Sequence, residues 1–205
     1  SFLTTSLSFS SENNRSDQVV FTESGSSIQA TKVQNFITSY SYQLSNSVAF
    51  NALKWLESMN QFQLYYQAFD SSLPQTQARV KGWGAYVSSN NQVVFNESKT
   101  LLGEIDFWYQ FPTVDGIYKI DAMYSLDMGF KMIVNKRVQF ALNVTDILKS
   151  SQVIAHGAVN QINQRITNYY DARQFKISIN YRFGNNKIKR YEYQSGNEDE
   201  RKRVN

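Results

Sequence analysis

The sequence predicts an all-β fold, an antiparallel transmembrane β-barrel to which this chain contributes about eight strands. Three observations carry that prediction. First, Phe175–Phe183 alternates without a break: Phe175, Ile177, Ile179, Tyr181 and Phe183 share one face, and Lys176, Ser178, Asn180 and Arg182 share the other. Successive side chains of a strand point to opposite faces, so one face of this strand is dry and the other wet. Second, the same alternation recurs in long segments, whereas strands of soluble sandwiches usually run about 5–6 residues. Third, the 205 residues include 13 Tyr and 14 Phe but only 2 Pro. Mean hydropathy is −0.46, and no stretch approaches the roughly 18 apolar residues of a membrane helix. A barrel escapes that test because lumen residues dilute its lipid-facing ones.

Taken in order, segment 2–23 alternates through Leu3, Leu7 and Phe9, turns polar over Ser11–Asp17 and ends in Val19–Phe21. Segment 32–45 places Phe36, Tyr40, Tyr42 and Leu44 against Asn35, Ser39, Ser41 and Gln43. In 53–70, Phe62, Leu64, Tyr66 and Ala68 oppose Gln61, Gln63 and Gln67. Trp83, Ala85, Val87, Val93 and Phe95 share a face of 79–95, where Gly82 and Gly84 mark a bend or a close approach. Segment 100–112 sets Leu101, Ile105, Phe107, Tyr109 and Phe111 against Glu104, Asp106 and Gln110. The longest run is 119–134, from Ile120 through Tyr124, Met128 and Phe130 to Val134, with Lys119, Asp121, Ser125, Asp127 and Lys131 opposite. Asn135-Lys136 then forms a tight turn into 137–148, where Val138, Phe140, Leu142 and Val144 share a face. Segment 168–183 closes the series. Residues 1–183 therefore read as barrel strands and 184–205 as a charged tail with six cations and four acids.

Charge and chemistry exclude more than they assign. The net charge of +4 reads as a solvated surface, and no nucleic-acid-binding motif accompanies it. Zero Cys removes disulfides and thiolate metal sites. His156, the sole histidine, falls in a long predicted loop at 149–167 and has no second His to complete a metal site. Glu104, Asp106, Asp121, Asp127 and Lys131 are expected to face the lumen, the acids pairing with cations of neighbouring strands or fixing plug contacts rather than acting as catalytic carboxylates or binding Ca²⁺. Asn143-Val144-Thr145 matches a glycosylation acceptor but sits within a strand. No Ser/His/Asp set, phosphate loop or dinucleotide fingerprint occurs, so neither enzyme activity nor a cofactor is expected. Trp55, Trp83 and Trp108 read as an interfacial girdle or as sheet packing.

The last third resembles a known family. Phe140-Ala141-Leu142-Asn143-Val144-Thr145-Asp146-Ile147-Leu148, then Tyr169-Tyr170-Asp171-Ala172-Arg173-Gln174-Phe175 running into Tyr181-Arg182-Phe183-Gly184, is similar to the carboxyl end of Bacteroidetes outer-membrane β-barrel proteins related to TonB-dependent receptors. Gly116–Lys119, Tyr124–Gly129 and the tail Ser195–Val204 fit the same family. The resemblance is close over about 79–204 and a matter of pattern before that. It implies a 22-stranded barrel of which these are the last strands, preceded by a periplasmic domain and a plug. It also implies nutrient uptake, with outer-membrane lipid, the upstream part of the same barrel, the barrel-assembly machinery, TonB and a surface lipoprotein as partners. Asp146 and Asp171, within the shared motifs, are expected to order strand ends and loops. The ending Phe175, Ile177, Ile179, Tyr181, Phe183 resembles the signal by which such barrels are recognised for insertion.

The predicted connections fall into two sets. Ser45–Ala52, Asn96–Lys99 and Asn135-Lys136 are short to medium; Glu23–Ser27, Ser71–Ala78, Thr113–Tyr118 and Lys149–Thr167 are mostly longer. Outer-membrane barrels have short periplasmic turns and longer outer loops, so the chain end is expected in the periplasm. The chain opens at Ser1 without Met, as expected if a leader is removed or if this is the back of a longer polypeptide. Three functions stay open: the wall of a transporter, a self-contained eight-stranded barrel with a structural or adhesive role, or a non-transporting scaffold subunit of a surface complex.

Overall fold

The computed structural model describes residues 1–22, 29–135, 137–159 and 162–183. The charged tail assigned to 184–205 lies outside these residues. The described residues form twelve strands and no helix: β1 (Phe2–Thr22), β2 (Gln29–Leu53), β3 (Leu56–Ser71), β4 (Arg79–Val94), β5 (Leu101–Gln110), β6 (Thr113–Asp115), β7 (Tyr118–Ile120), β8 (Met123–Ile133), β9 (Val138–Thr145), β10 (Gln152–Val159), β11 (Ile162–Tyr169) and β12 (Gln174–Tyr181). Eight of them make one antiparallel sheet in the order β1-β2-β3-β4-β5-β8-β9-β12; the other four make a second sheet, β11-β10-β7-β6.

Register gives the large sheet two chemically different faces. Tyr42 pairs with Phe9 and Tyr66, and Tyr66 with Trp83. Farther along the sheet, Ile105, Met128, Val144 and Phe175 align in one cross-strand row. Directly opposed residues of an antiparallel pair share a face, so the apolar sets of all eight strands fall on the same side. That side is open: Leu7 is 82% exposed, Ile177 67% and Phe183 88%. Aromatic contacts tie neighbouring strands there, with ring centroids 4.9 Å apart for Phe9–Tyr42 and 5.3 Å for Tyr66–Trp83. A soluble protein would not leave a whole sheet face of this kind in water.

The buried core lies at one end of the opposite, inner face. Val19, Phe36, Ile37, Phe69, Val80, Val114, Ile117 and Val159 pack together, with Leu73 and Tyr118 against them. The second sheet covers the inner face there, and fully burying a side chain such as Ile37 contributes about 1.5–3 kcal/mol. Gly84 permits the approach: a Cβ on it would overlap the Tyr65 ring and the Thr113 hydroxyl. The β6–β7 turn needs Gly116 for its φ of 57° and for the Asp17 carboxylate beside it.

Several expectations change. The predicted loop 149–167 holds β10 and most of β11, an antiparallel pair in register from Gln152↔Tyr169 to Val159↔Ile162. The single predicted strand 119–134 is broken at Asp121-Ala122 into β7 and β8, which belong to different sheets. The predicted connection Ser45–Ala52 is strand, and the chain reverses only at Lys54-Trp55. Phe36, expected beside Tyr40 and Tyr42, is buried in the core. The β1–β2 register shifts on both sides of the Arg15↔Ile37 pair, and a one-residue slip moves side chains to the other face.

Candidate functional site

Away from the core, the inner face is rich in amide, hydroxyl and charged side chains, among them Gln61, Gln63, Ser88, Asn90, Gln92, Glu104, Asp106 and Asp127. Asn90, Asp106 and Asp127 align across β4, β5 and β8, and Gln92 and Glu104 align beside them. Glu104 and Asp106 share an open cleft of about 460 Å³ with Asn51, Glu57, Asn90 and Gln92. A second cleft of about 290 Å³ brings Glu104 together with Lys131, Asn143, Ser178 and Asn180. Of the two expected roles, ion pairing with neighbouring strands is not seen: among the described residues, no cation lies within 4.0 Å of Glu104, Asp106 or Asp127. Asp127 instead accepts from the Ser125 hydroxyl and the Asp146 amide, each at 2.7 Å, and Asp106 accepts from Asn90 at 3.2 Å. Directly opposed like charges such as Asp106 and Asp127 destabilise a sheet; water on this face screens them.

Asp121, expected beside these acids, sits elsewhere. It follows β7 in the second sheet, and its Oδ2 lies 2.9 Å from His156 Nε2 on β10. The break in the strand at Ala122 is what separates it from Asp127. Trp108 is likewise on the inner face, stacked on Tyr86 with centroids 6.3 Å apart; it takes no part in an outer girdle. Among the described residues, no group of three or more His, Cys, Asp or Glu is arranged to hold a metal.

Two polar nodes anchor the second sheet. At β1, Arg15 donates to Asp115 at 2.8 Å and lies 5.3 Å from the Phe69 ring centre. Beside it, burial and then the Asp17 charge raise the Tyr118 hydroxyl above the usual tyrosine range. At the far edge, Asp146 is 1% exposed and occupies the left-handed region at φ 45°, which short polar residues such as Asp tolerate. Its Oδ1 accepts from the Ser150 and Ser151 amides at 2.8 and 3.3 Å, and its Oδ2 from the Tyr169 hydroxyl at 3.0 Å. Tyr169 in turn accepts from the Arg173 amide at 3.0 Å, and the Arg173 guanidinium donates to the Asp146 and Ile147 carbonyls at 3.2 and 2.7 Å. Asp146 thus orders the exit from β9 and ties it to the approach to β12. Asp171 contributes a φ of 52° to the same corner. Arg15, Tyr169 and Arg173 are the anchoring residues that sequence reasoning missed. A lone cation in the polar stretch Ser11–Asp17 was the available signal for the first.

The outer face carries a closed polar ring. Ser58 donates to Asn91 at 2.7 Å, Asn91 to Ser89 at 2.9 Å, Ser89 to Asn60 at 2.7 Å and Asn60 to Ser58 at 2.9 Å. This closed ring joins β3 to β4 and lies midway between Trp83 and Phe95, twelve residues apart on the same face. Twelve residues at ~3.3 Å, tilted by about 40°, rise close to the ~25 Å apolar band of a membrane barrel. The ring therefore sits at mid-depth, where polar groups satisfy one another or remain unsatisfied. Asn60→Leu is expected to cost about 1–2 kcal/mol by stranding its partners, read as a lowered midpoint of urea unfolding in lipid vesicles. Replacing all four residues with apolar ones should recover most of that loss.

An open apolar outer face with aromatic residues toward both ends, a polar inner face, and short turns at one end opposite long connections at the other define a membrane β-barrel wall. The comparison with family models agrees: residues 1–181 match the model described as the outer membrane protein beta-barrel family. The chain belongs to that family, and its exposed apolar face is the lipid-facing one. No curated protein and no solved structure matches the chain.

Proposed function

We propose that this chain is the carboxyl-terminal barrel wall of an outer-membrane protein like the TonB-dependent receptors, taking up a nutrient across the bacterial outer membrane. The observation that carries this reading is the open sheet. Among the described residues, β1 pairs only with β2 and β12 only with β9. Lipid offers no partner for the backbone groups of a free edge, so further strands of a wider barrel are the natural neighbours of β1 and β12. The wet inner face suits passage rather than a packed small barrel, and the second sheet belongs to the long-connection end, which in this reading faces outward. The short turns and the chain end then lie in the periplasm. Lipid, the upstream barrel, the assembly machinery, TonB and a surface lipoprotein are the partners of such a protein.

Size tests the proposal. An antibody against 185–205 should detect, in boiled outer membranes, a band several times larger than the 23.7 kDa of this chain, with altered mobility when unheated. A band at that mass would instead mean a self-contained barrel with a structural or adhesive role.

The terminal strand carries a second expectation. Phe175, Ile177, Ile179, Tyr181 and Phe183 are all exposed on the outer face, with the Tyr181 and Phe183 rings 4.7 Å apart. Read as the insertion signal, this face makes Phe183→Asp reduce assembled protein severely, measured as the heat-modifiable fraction in outer membranes. Normal assembly of that variant would contradict the assignment.

A further inference from the structure

The face of the second sheet turned away from the wall has a charge pattern that anchoring does not use. The wall side is settled by contacts. Val159 is in the core and Ala155 is buried, while Gln164 donates to the Val20 carbonyl at 3.1 Å and Gly157 lies against the Tyr118 ring. Their neighbours in sequence therefore point the other way. On that opposite face, His156 pairs in register with Lys119 of β7 on one side and Arg165 of β11 on the other. The three side chains form a row across three adjacent strands.

We propose that the row Lys119–His156–Arg165 binds an extended, water-soluble polyanion at the mouth of the barrel. The inference rests on the uptake reading and supplies its substrate class. Two strand spacings of ~4.8 Å put the Lys119 and Arg165 main chains ~10 Å apart, so the row suits anionic groups repeated along a chain better than a single small ion. Lys119 and Arg165 are exposed, and among the described residues neither has an acid within 4.0 Å. Asp121 on the same face has its Oδ2 2.9 Å from His156 Nε2, so it contacts the middle of the row and neither Lys119 nor Arg165. Asn163 and Thr167, exposed on the same face of β11, add neutral hydrogen-bonding groups, and the Arg165 fork matches planar or tetrahedral oxyanions. A lipid headgroup is the wrong ligand here, because the row lies on the inner side of the sheet while the lipid-facing surface is on the other. The core beneath the second sheet holds the row rigid, which lowers the ordering cost of binding.

The test is direct binding to the full native protein purified in a zwitterionic detergent, using fluorescent dextran sulfate and neutral dextran of equal length. Dextran sulfate should bind and neutral dextran should not. The double variant Lys119→Gln, Arg165→Gln should weaken binding by about tenfold or more, with the difference shrinking in high salt. The control Lys54→Gln, Lys99→Gln removes the same charge at the opposite end and should leave affinity unchanged. Absence of dextran sulfate binding, or equal losses in both double variants, would overturn the proposal. Binding needs no transport, so dextran sulfate bound normally by a protein that imports nothing in cells would remove the uptake reading alone.

Discussion

Asp146→Ala is expected to unfold the corner between β9 and β12 and to cost about 2–4 kcal/mol, the scale of leaving several hydrogen-bond donors without their acceptor. Three donors lose their acceptor at once: the Ser150 and Ser151 amides and the Tyr169 hydroxyl. Alanine also resists the positive φ that Asp146 adopts. Because Tyr169 positions the Arg173 backbone, the loss should spread into β11 and the start of β12. Limited proteolysis of the purified protein in detergent should then cleave within 146–173 while the rest of the barrel stays protected. Asp146→Asn keeps the backbone conformation and one acceptor, and should retain most of the protection. Equal resistance of Asp146→Ala and wild type would show that the network does not hold this corner.

The second large effect belongs to the lipid face. Leu142 lies midway along β9, between Phe130 of β8 and Ile177 of β12 on the outer side. Leu142→Arg should cost about 2–4 kcal/mol, the penalty for a cation near the bilayer midplane of a barrel. Gln139→Arg, on the inner side of the same strand, should change stability by no more than about 0.5 kcal/mol. Urea unfolding in vesicles measures both, and similar values for the two variants would mean that the faces are assigned wrongly.

The alternation that predicted the sheet works because a membrane barrel gives each strand two solvents, so Tyr124 through Val134 declare their face without help from tertiary contacts. That logic fails where both faces are covered by protein. In β10, Val153, Ala155, Gly157 and Val159 pack against the wall, but Ala155 and Gly157 are small because the wall and the Tyr118 ring are close. In sequence, the strand therefore reads as a loop. Phe36 shares the parity of Tyr40 and Tyr42, but the alternation breaks at Ile37-Thr38, where the register shifts around the Arg15↔Ile37 pair and both Phe36 and Ile37 are buried. Asp121 had the spacing of a lumen acid, and only the break at Ala122 takes it into the second sheet. The inner acids were legible as a set. Their lack of cationic partners was not, because cross-strand neighbours depend on register.

The most direct test of the account is the depth and solvent of successive β8 side chains. This chain has no Cys, so with any Cys elsewhere in the protein replaced by Ser, single substitutions Leu126→Cys, Asp127→Cys, Met128→Cys, Phe130→Cys and Lys131→Cys can each carry one fluorophore in the protein reconstituted into vesicles. Brominated lipids should quench the label at 126, 128 and 130, and aqueous iodide should quench it at 127 and 131. Uniform quenching by iodide, or the reverse alternation, would contradict the placement of this sheet between lipid and water.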